Sequence, residues 1–138
     1  MSEMKWAIIT GADGGMGTEI TRAVAKAGYR IIMACYHPKK AEVVRERLSK
    51  EIGNPDLEVI AIDLSSMQSV VAFVSQILER NLPISLLMNN AGTMETGFHT
   101  TSEGFERTVS VNYMGPYLLT RKLIPLMVRG ARIVNMVS

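Results

Sequence analysis

The sequence predicts an α/β fold in which helices cover both faces of a doubly wound parallel sheet. Short apolar runs rich in β-branched residues recur along the chain, and their near-continuous apolar character is typical of strands buried on both faces. Stretches with helical spacing of apolar residues separate these runs, which favours parallel strands joined by crossover helices. The predicted strands are Trp6–Thr10, Arg30–Cys35, Glu58–Ile62, Ser85–Asn89 and Arg132–Val137.

The first two predicted helices have recognisable ends. An apolar stripe marks the first helix, and Gly28 follows it as a C-terminal cap. Pro38 suits the first turn of the second helix, where a missing N–H costs nothing, and the Gly-Asn-Pro segment at 53–55 ends that helix. The stripe of the first helix consists of Ile20, Ala23, Val24 and Ala27.

Two further helices complete the predicted alternation. Ser65 and Gln68 have the spacing of a capping box and predict the start of the third helix. The fourth helix is predicted from about Ser102 towards Val128. Pro116 should bend it, because the proline ring clashes with the preceding turn and removes a hydrogen bond.

Composition excludes several classes of protein. A chain of 138 residues with 47% hydrophobic and 20% charged residues fits one globular domain and excludes a disordered tail. The 15 basic and 13 acidic residues are mixed, so we expect no nucleic-acid partner. A single cysteine, Cys35, favours a reducing compartment, and the apolar runs are too short to span a bilayer. We therefore expect a cytoplasmic domain without a membrane partner.

A glycine-rich segment joins the first strand to the first helix and is the first candidate functional site. It reads Thr10-Gly11-Ala12-Asp13-Gly14-Gly15-Met16-Gly17. Glycines in this position allow a tight turn and let backbone N–H groups and the helix dipole meet a pyrophosphate. The alternative is an ordinary tight turn. We expect Asp13 to make a local turn or helix-capping hydrogen bond that faces away from the nucleotide.

Several separated segments, in the correct order, resemble the short-chain dehydrogenase/reductase family. The glycine segment is similar to the TGxxxGxG nucleotide loop, and the 89–92 segment, Asn-Asn-Ala-Gly, is similar to the NNAG motif. Ile62-Asp63-Leu64 resembles the acidic adenine contact, and Val111-Asn112 with Gly115 resembles the helix of the catalytic asparagine. The last strand, ending at Ser138, resembles the strand before the catalytic serine. Ala34-Cys35 and the Gly-Phe-Glu segment at 104–106 resemble the retinol-dehydrogenase-like branch more weakly.

The resemblance implies an activity and an incomplete set of catalytic groups. It implies hydride transfer between a nicotinamide cofactor and a small-molecule carbonyl or secondary alcohol, with Ser138 and Asn112 as catalytic residues and no metal. The family's tyrosine and lysine follow the serine, so they are expected beyond residue 138. Residues 1–138 would then be an NAD(P)-binding Rossmann domain, C-terminally incomplete, with the first five strands of a larger sheet. The complete protein is expected to be a homo-oligomer.

The resemblance also implies the cofactor contacts. In the glycine loop these are Thr10, Gly11, Asp13, Gly14, Gly15, Met16 and Gly17; after the third and fourth strands they are Asp63, Leu64, Asn90, Ala91 and Gly92. Each segment has a structural alternative. Asp63 could be an aspartate at a helix start, the 89–92 segment an ordinary turn, and Asn112 a solvent-facing asparagine.

The end of the second strand bears on cofactor choice. An acidic residue there binds the ribose 2′-hydroxyl of NAD, whereas basic groups favour the 2′-phosphate of NADP. No acidic residue occurs from 29 to 41. Tyr36 occupies the position at which the retinol-dehydrogenase-like branch usually has arginine. Tyr36, His37 and Lys40 are candidate contacts, with Lys39 beside them. We expect NADP(H) to be preferred, with NAD(H) possible; the YxxxK spacing of Tyr36 and Lys40 is treated as coincidental.

Two other classes of function remain open at this point. A non-catalytic nucleotide-binding sensor or interaction protein could use the same fold. A methyltransferase fits less well, because it would need an acidic residue after the second strand and this sequence has none there. Residues 1–138 by themselves are expected to be inactive and poorly folded. The last strand would be an open sheet edge, and the fourth helix would expose an apolar face because it lacks the neighbouring helix that carries the tyrosine and lysine. That helix presents Leu118, Leu119, Leu123 and Leu126, with Tyr113 and Tyr117 expected to be packing residues.

Overall fold

The computed structural model describes residues 5–53, 56–91 and 109–136, and within them five parallel strands form one sheet. The strands are β1 Trp6–Thr10, β2 Arg30–Cys35, β3 Leu57–Ala61, β4 Ile84–Asn89 and β5 Met127–Asn135. Their order is β3-β2-β1-β4-β5, so the chain winds outward from β1 to one edge and then returns to place β4 beside β1. This is the predicted doubly wound parallel sheet.

Helices cover both faces of the sheet. The helical segments are α1 Gly15–Lys26, α2 Pro38–Ile52, α3 Met67–Arg80, a π-helical turn at Ser110–Met114, α4 Gly115–Leu123 and a 3₁₀ turn at Ile124–Leu126. Alternate residues of β1 and β2 enter two separate apolar cores. Ile8 and Ile32 pack in the core beneath α3 and α4, whereas Ile9 and Met33 pack in the core beneath α1 and α2.

The predicted ends of the first two helices are confirmed. Gly28 and Gly53 have φ values of 95° and 73°, the left-handed conformation that closes a helix at low cost when the residue has no Cβ. Pro38 lies in the first turn of α2. Single residues in the sequence therefore predict correctly where these two helices end.

The predicted capping box of the third helix is wrong by one residue. The N-cap of α3 is Ser66, whose Oγ accepts a hydrogen bond from the Ser69 N–H at 3.1 Å. Ser65 does not cap the helix, because its N–H and Oγ–H both donate to Asp63 Oδ1, at 2.9 and 2.5 Å. Ser65, which the spacing pattern predicted as the N-cap, is thus bonded to the Asp63 carboxylate instead.

The fourth helix is shorter than predicted. It ends at Leu123, and β5 begins at Met127 rather than at Arg132. Pro125 explains the early end, because it has no N–H to continue the helical bonding. The start of β5 was missed because Gly130, with φ 84°, interrupts the apolar run, and the β4–β5 register shifts at this point. Residues 102–108 of the predicted helix lie outside the described part of the chain.

The apolar face of α4 is better covered than predicted. Leu119 and Leu123 are fully buried in the core that includes α3, which corrects the expectation that they form part of an exposed apolar face. Tyr113 and Tyr117 were expected to pack, but 69% and 67% of their surface is exposed. The strand β5 lies at the edge of the sheet, as predicted.

Candidate functional site

The strand order places a crevice at the carboxyl ends of β1 and β4. These two strands are neighbours, but α1 leaves β1 towards one face of the sheet and α4 lies on the other face. Connections that leave in opposite directions open a gap at the strand ends, which is where ligands of doubly wound folds bind. The glycine segment and the Asn90-Ala91 pair both lie at this point of the sheet.

The glycine segment forms a compact turn that positions the start of α1. Gly11 adopts φ 62°, and the Gly14 N–H donates to the Gly11 carbonyl at 3.2 Å. A Cβ on Gly17 would lie only 1.9 Å from the Gly11 carbonyl oxygen, so only glycine allows the helix to approach the turn this closely. The first N–H groups of α1 are therefore presented at the crevice, where they can bind a phosphate.

The outer side of the turn is open. A Cβ on Gly15 would meet no atom within 4 Å, and the Met16 side chain is 62% exposed. The N-cap of α1 is Gly14, which has no side chain to occupy the helix end. This open backbone is the kind of cradle that suits a pyrophosphate group.

Asp13 does not cap α1, which corrects one of our expectations. Its carboxylate instead contacts the thiol of Cys35, the last residue of β2. Burial of this thiol, followed by the negative charge of Asp13, raises the pKa of Cys35 to about 12. The carboxylate of Asp13 therefore faces the end of β2, and the thiol beneath it stays protonated at neutral pH.

Thr10 joins the turn after β1 to the segment after β4. Its Oγ donates to the Met88 carbonyl at 3.3 Å and accepts from the N–H groups of Asn90 and Ala91, both at 3.0 Å. Thr10 is only 1% exposed, so its hydroxyl makes these hydrogen bonds within the protein rather than with solvent. Thr10 thus holds in place the segment that the sequence predicted to contact the cofactor.

Asn90 strengthens the same junction from the other side. Its Nδ2 group donates to the carbonyl oxygens of Thr10 and Gly11, each at 3.3 Å. A Cβ on Gly11 would lie 3.0 Å from the Ala91 Cα, so the two segments are in direct backbone contact. Gly92, the last residue of the motif, lies outside the described residues.

Asn89 was not predicted as a site residue, and it faces away from Asn90. Its side chain is almost fully buried, and its Nδ2 donates to Thr120 Oγ on α4 at 3.1 Å and to Asn135 Oδ1 on β5 at 2.8 Å. Its Oδ1 has no hydrogen-bond partner among the described residues. No motif or periodicity in the sequence indicates this role, because the two partners lie 31 and 46 residues away in the sequence.

The predicted adenine contact follows β3. Asp63 is half-buried, and its backbone N–H donates to Ser69 Oγ at 2.9 Å while its carboxylate holds Ser65. These bonds fix the carboxylate in the turn before α3. Leu64 is 5% exposed, and its carbonyl oxygen accepts from the hydroxyl of Ser110 at 3.3 Å.

The end of β2 carries the residues that bear on cofactor choice. Tyr36 and His37 are both exposed, and their rings contact edge to face with centroids 4.5 Å apart. Lys39 and Lys40 are exposed in the first turn of α2. These basic groups therefore lie at the surface beside the crevice.

Asn112 lies in the π-helical turn just before α4, and it is half-buried. The Gly115 N–H closes this turn by donating to the Ser110 carbonyl, five residues back. Pro116 in the next turn cannot donate a backbone hydrogen bond, which favours such an irregularity. The helix is thus distorted at Asn112, just before Pro116. Ser138 lies outside the described residues.

In the described ranges, no three His, Cys, Asp or Glu side chains come together as metal ligands. The helices of those ranges also include none that is both long and apolar enough to cross a membrane.

A doubly wound parallel sheet with a glycine turn at its switch point defines a Rossmann-type nucleotide-binding domain. The family model for the short chain dehydrogenases matches residues 5–138, and the chain belongs to that family.

Relatives of known name agree with this placement. The chain is 35% identical to retinol dehydrogenase 11 of Homo sapiens over 136 residues, which cover 97% of this chain and 43% of the relative. It is 36% identical to the chloroplastic short-chain dehydrogenase TIC 32 B of Brassica napus over 126 residues, covering 91% of this chain and 39% of the relative. The chain thus spans about two-fifths of the length of these relatives.

Solved structures share the fold. A metagenomic short-chain oxidoreductase in complex with NADP superimposes with a TM-score of 0.83 at 27% identity, over 97% of this chain and 62% of that chain. The menthone neomenthol reductase of Mentha piperita gives a TM-score of 0.81 at 26% identity, over 97% and 60% of the two chains. A short-chain dehydrogenase of Sphingobium yanoikuyae in complex with NADPH gives 0.79 at 27% identity, over 96% and 52%.

Proposed function

We propose that this chain forms the cofactor-binding part of an NAD(P)(H)-dependent oxidoreductase that interconverts a carbonyl and a secondary alcohol. The observation that carries the proposal is the junction at the switch point, where Thr10 and Asn90 bind the glycine turn to the segment after β4. Membership of the short chain dehydrogenase family supports the reaction type.

The residues of the chain fit a dinucleotide. The open backbone at Gly15, in the first turn of α1, would hold the pyrophosphate. Asp63 would accept a hydrogen bond from the adenine amino group, and the backbone of Ala91 would lie along the nicotinamide half, with Gly92 following it in sequence. The bound cofactor supplies the hydride; the protein orients it and excludes water.

The catalytic part of the proposal concerns Ser138 and Asn112. Ser138 would donate a hydrogen bond to the substrate carbonyl oxygen, where negative charge develops, and Asn112 would hold a water for proton relay. The tyrosine and lysine of the family would be supplied by a continuation of the polypeptide, which the 43% coverage of the human relative supports. On this view residues 1–138 are one NAD(P)-binding domain, C-terminally incomplete.

The preferred cofactor is NADP(H). The second strand ends without an acidic residue and is followed by His37, Lys39 and Lys40, and two similar solved structures hold NADP or NADPH. The double variant Lys39→Ala/Lys40→Ala should weaken NADPH binding more than NADH binding. Lys50→Ala, at the far end of α2, is the matched control and should change neither affinity. Equal losses for the two cofactors would mean that these lysines are surface charge only.

Activity of the complete polypeptide tests the reaction. We expect oxidation of NADPH to depend on an added aldehyde or ketone, and Ser138→Ala to lower turnover by about a hundredfold. Saturable NADPH binding without turnover of any carbonyl or alcohol would favour the nucleotide-binding sensor instead.

The complete protein is also proposed to be a homo-oligomer. An apolar groove beside the exposed Tyr113 and Tyr117, lined further by Met67, Met114 and Leu118, supports this proposal. Light scattering of the complete protein should give the mass of an oligomer. The mass of a monomer at micromolar concentration would contradict the proposal.

A further inference from the structure

The π-helical turn that carries Asn112 is anchored to the backbone next to the predicted adenine contact. Ser110, the first residue of this turn, is fully buried, and its hydroxyl donates to the Leu64 carbonyl oxygen at 3.3 Å. A buried hydroxyl with one specific partner fixes both the turn and the loop that follows β3.

Gly115 brings the two segments into closer contact. A Cβ on this residue would lie 2.5 Å from the Leu64 carbonyl oxygen and 3.0 Å from the Leu64 Cβ. The backbone atoms of Leu64 cannot move aside as a flexible side chain could. The start of α4 therefore packs directly on the loop after β3, and only glycine permits this distance.

Leu64 directly follows Asp63, so the anchor lies beside the adenine side of the crevice. The Asp63 N–H donates to Ser69 Oγ, and the Asp63 carboxylate accepts from Ser65, so these bonds tie the loop at residues 63–65, called the platform below, to the start of α3. One end of the platform would contact adenine, and the other end holds the turn of Asn112.

We propose that Ser110 and Gly115 are positioning residues that couple adenine binding at Asp63 to the placement of Asn112. The inference rests on the proposed function, since it takes Asp63 as the adenine contact and Asn112 as the relay residue. Binding of the adenine half of the cofactor would tighten the platform and, through Leu64, order the π-helical turn before any substrate is bound.

Two variants break the anchor in different ways. Ser110→Ala removes the donor and leaves the Leu64 carbonyl oxygen without its hydroxyl partner. Gly115→Ala forces the turn and the loop apart by close to an ångström, a displacement that can cost about a hundredfold in turnover when it reaches a catalytic group. Ser75→Ala is the matched control, because Ser75 is exposed on α3 away from the platform.

The experiment uses the complete polypeptide and 2′-phospho-ADP-ribose, called ADP-ribose below, which carries the adenine half of NADP with its 2′-phosphate and no nicotinamide. Hydrogen exchange of the peptide covering residues 109–118 is measured with and without this ligand. In the wild type and in Ser75→Ala, ADP-ribose should slow exchange in this peptide at least tenfold. In Ser110→Ala and Gly115→Ala this protection should be lost, although ADP-ribose still binds within a few-fold of the wild-type affinity and kcat falls more than KM rises.

The outcomes separate the inference from the proposed function. ADP-ribose that binds without protecting residues 109–118 of the wild type overturns the coupling alone, as does protection that persists in Ser110→Ala. Failure of ADP-ribose to bind overturns both. Coupled protection in a protein that turns over no carbonyl supports the coupling and contradicts only the proposed reaction.

Discussion

Removing the Thr10 hydroxyl tests how the glycine turn and the segment after β4 are held together. Thr10→Val keeps the shape of the side chain and removes only its hydrogen-bonding capacity. The N–H groups of Asn90 and Ala91 would then lose their shared acceptor, and the Met88 carbonyl would lose a donor. The variant therefore isolates the hydrogen bonds from the packing.

The size of the effect follows from these contacts. A buried N–H left without a partner costs about 1–3 kcal/mol, and here two such groups are only partly buried. We expect the free energy of unfolding to fall by about 2–4 kcal/mol. Affinity for the cofactor should fall about tenfold as well, because the loosened segment includes the proposed contact at Ala91.

Urea unfolding of the complete protein measures the change, with Thr10→Ser as the matched control. Serine keeps the hydroxyl and loses one methyl group, which costs about 1 kcal/mol or less. If Thr10→Val were as stable as Thr10→Ser and bound the cofactor equally well, the hydroxyl would not hold the two segments together.

Three further predictions concern the core and the strand ends. The pKa of Cys35 is raised to about 12 in the folded protein, so on raising the pH the thiol ionises first in the unfolded chain. The free energy of unfolding should therefore be constant below about pH 8 and fall by about 1.4 kcal/mol per pH unit between about pH 9 and 12. Cys35→Ala should remove this slope from urea unfolding curves measured across the same pH range. Thr120→Val should destabilise by about 1 kcal/mol, because the buried amide of Asn89 loses an acceptor, whereas Thr120→Ser should stay close to wild type in urea unfolding. The Trp6 ring lies under two arginine guanidinium groups, each 5.7 Å from its centroid, so Trp6→Leu should cost about 1–2 kcal/mol beyond the loss of size, and Trp6→Phe should recover part of this in the same assay.

Local signals in the sequence predict the fold well where one residue decides a boundary. Trp6–Thr10 and Arg30–Cys35 have the predicted ends. Lys5 and Gly11 bound the first run, and the second begins soon after Gly28, which closes the preceding helix. Gly28 and Gly53 close helices as predicted because their positive φ needs no tertiary contact to be favourable.

Boundaries that depend on competition between neighbours were harder to predict. Ser65 and Ser66 are both good capping residues, and the choice was decided by the Asp63 carboxylate, which bonds to the first of them. At the other end of the chain, Pro125 and Gly130 together convert a predicted helix end into the start of a strand, and neither residue alone would indicate this.

The candidate site shows the same division. The glycine turn and the Asn90 segment were predicted from motif and position, since both must lie at strand ends. The anchoring roles of Thr10, Asn89 and Ser110 were not, because each depends on a partner between 31 and 81 residues away in the sequence. Side chains that cross from one strand end to another leave no periodic signal.

Substitutions at Gly15 test whether a dinucleotide binds at the start of α1. A side chain here meets open space, and a glutamate in the first turn is favourable for the helix, so Gly15→Glu should fold as well as the neutral Gly15→Gln. The measurement is the dissociation constant of NADPH for these two variants of the complete protein. Gly15→Glu should bind NADPH at least tenfold more weakly than Gly15→Gln, because its carboxylate would face the pyrophosphate. Equal dissociation constants for the two variants would contradict it.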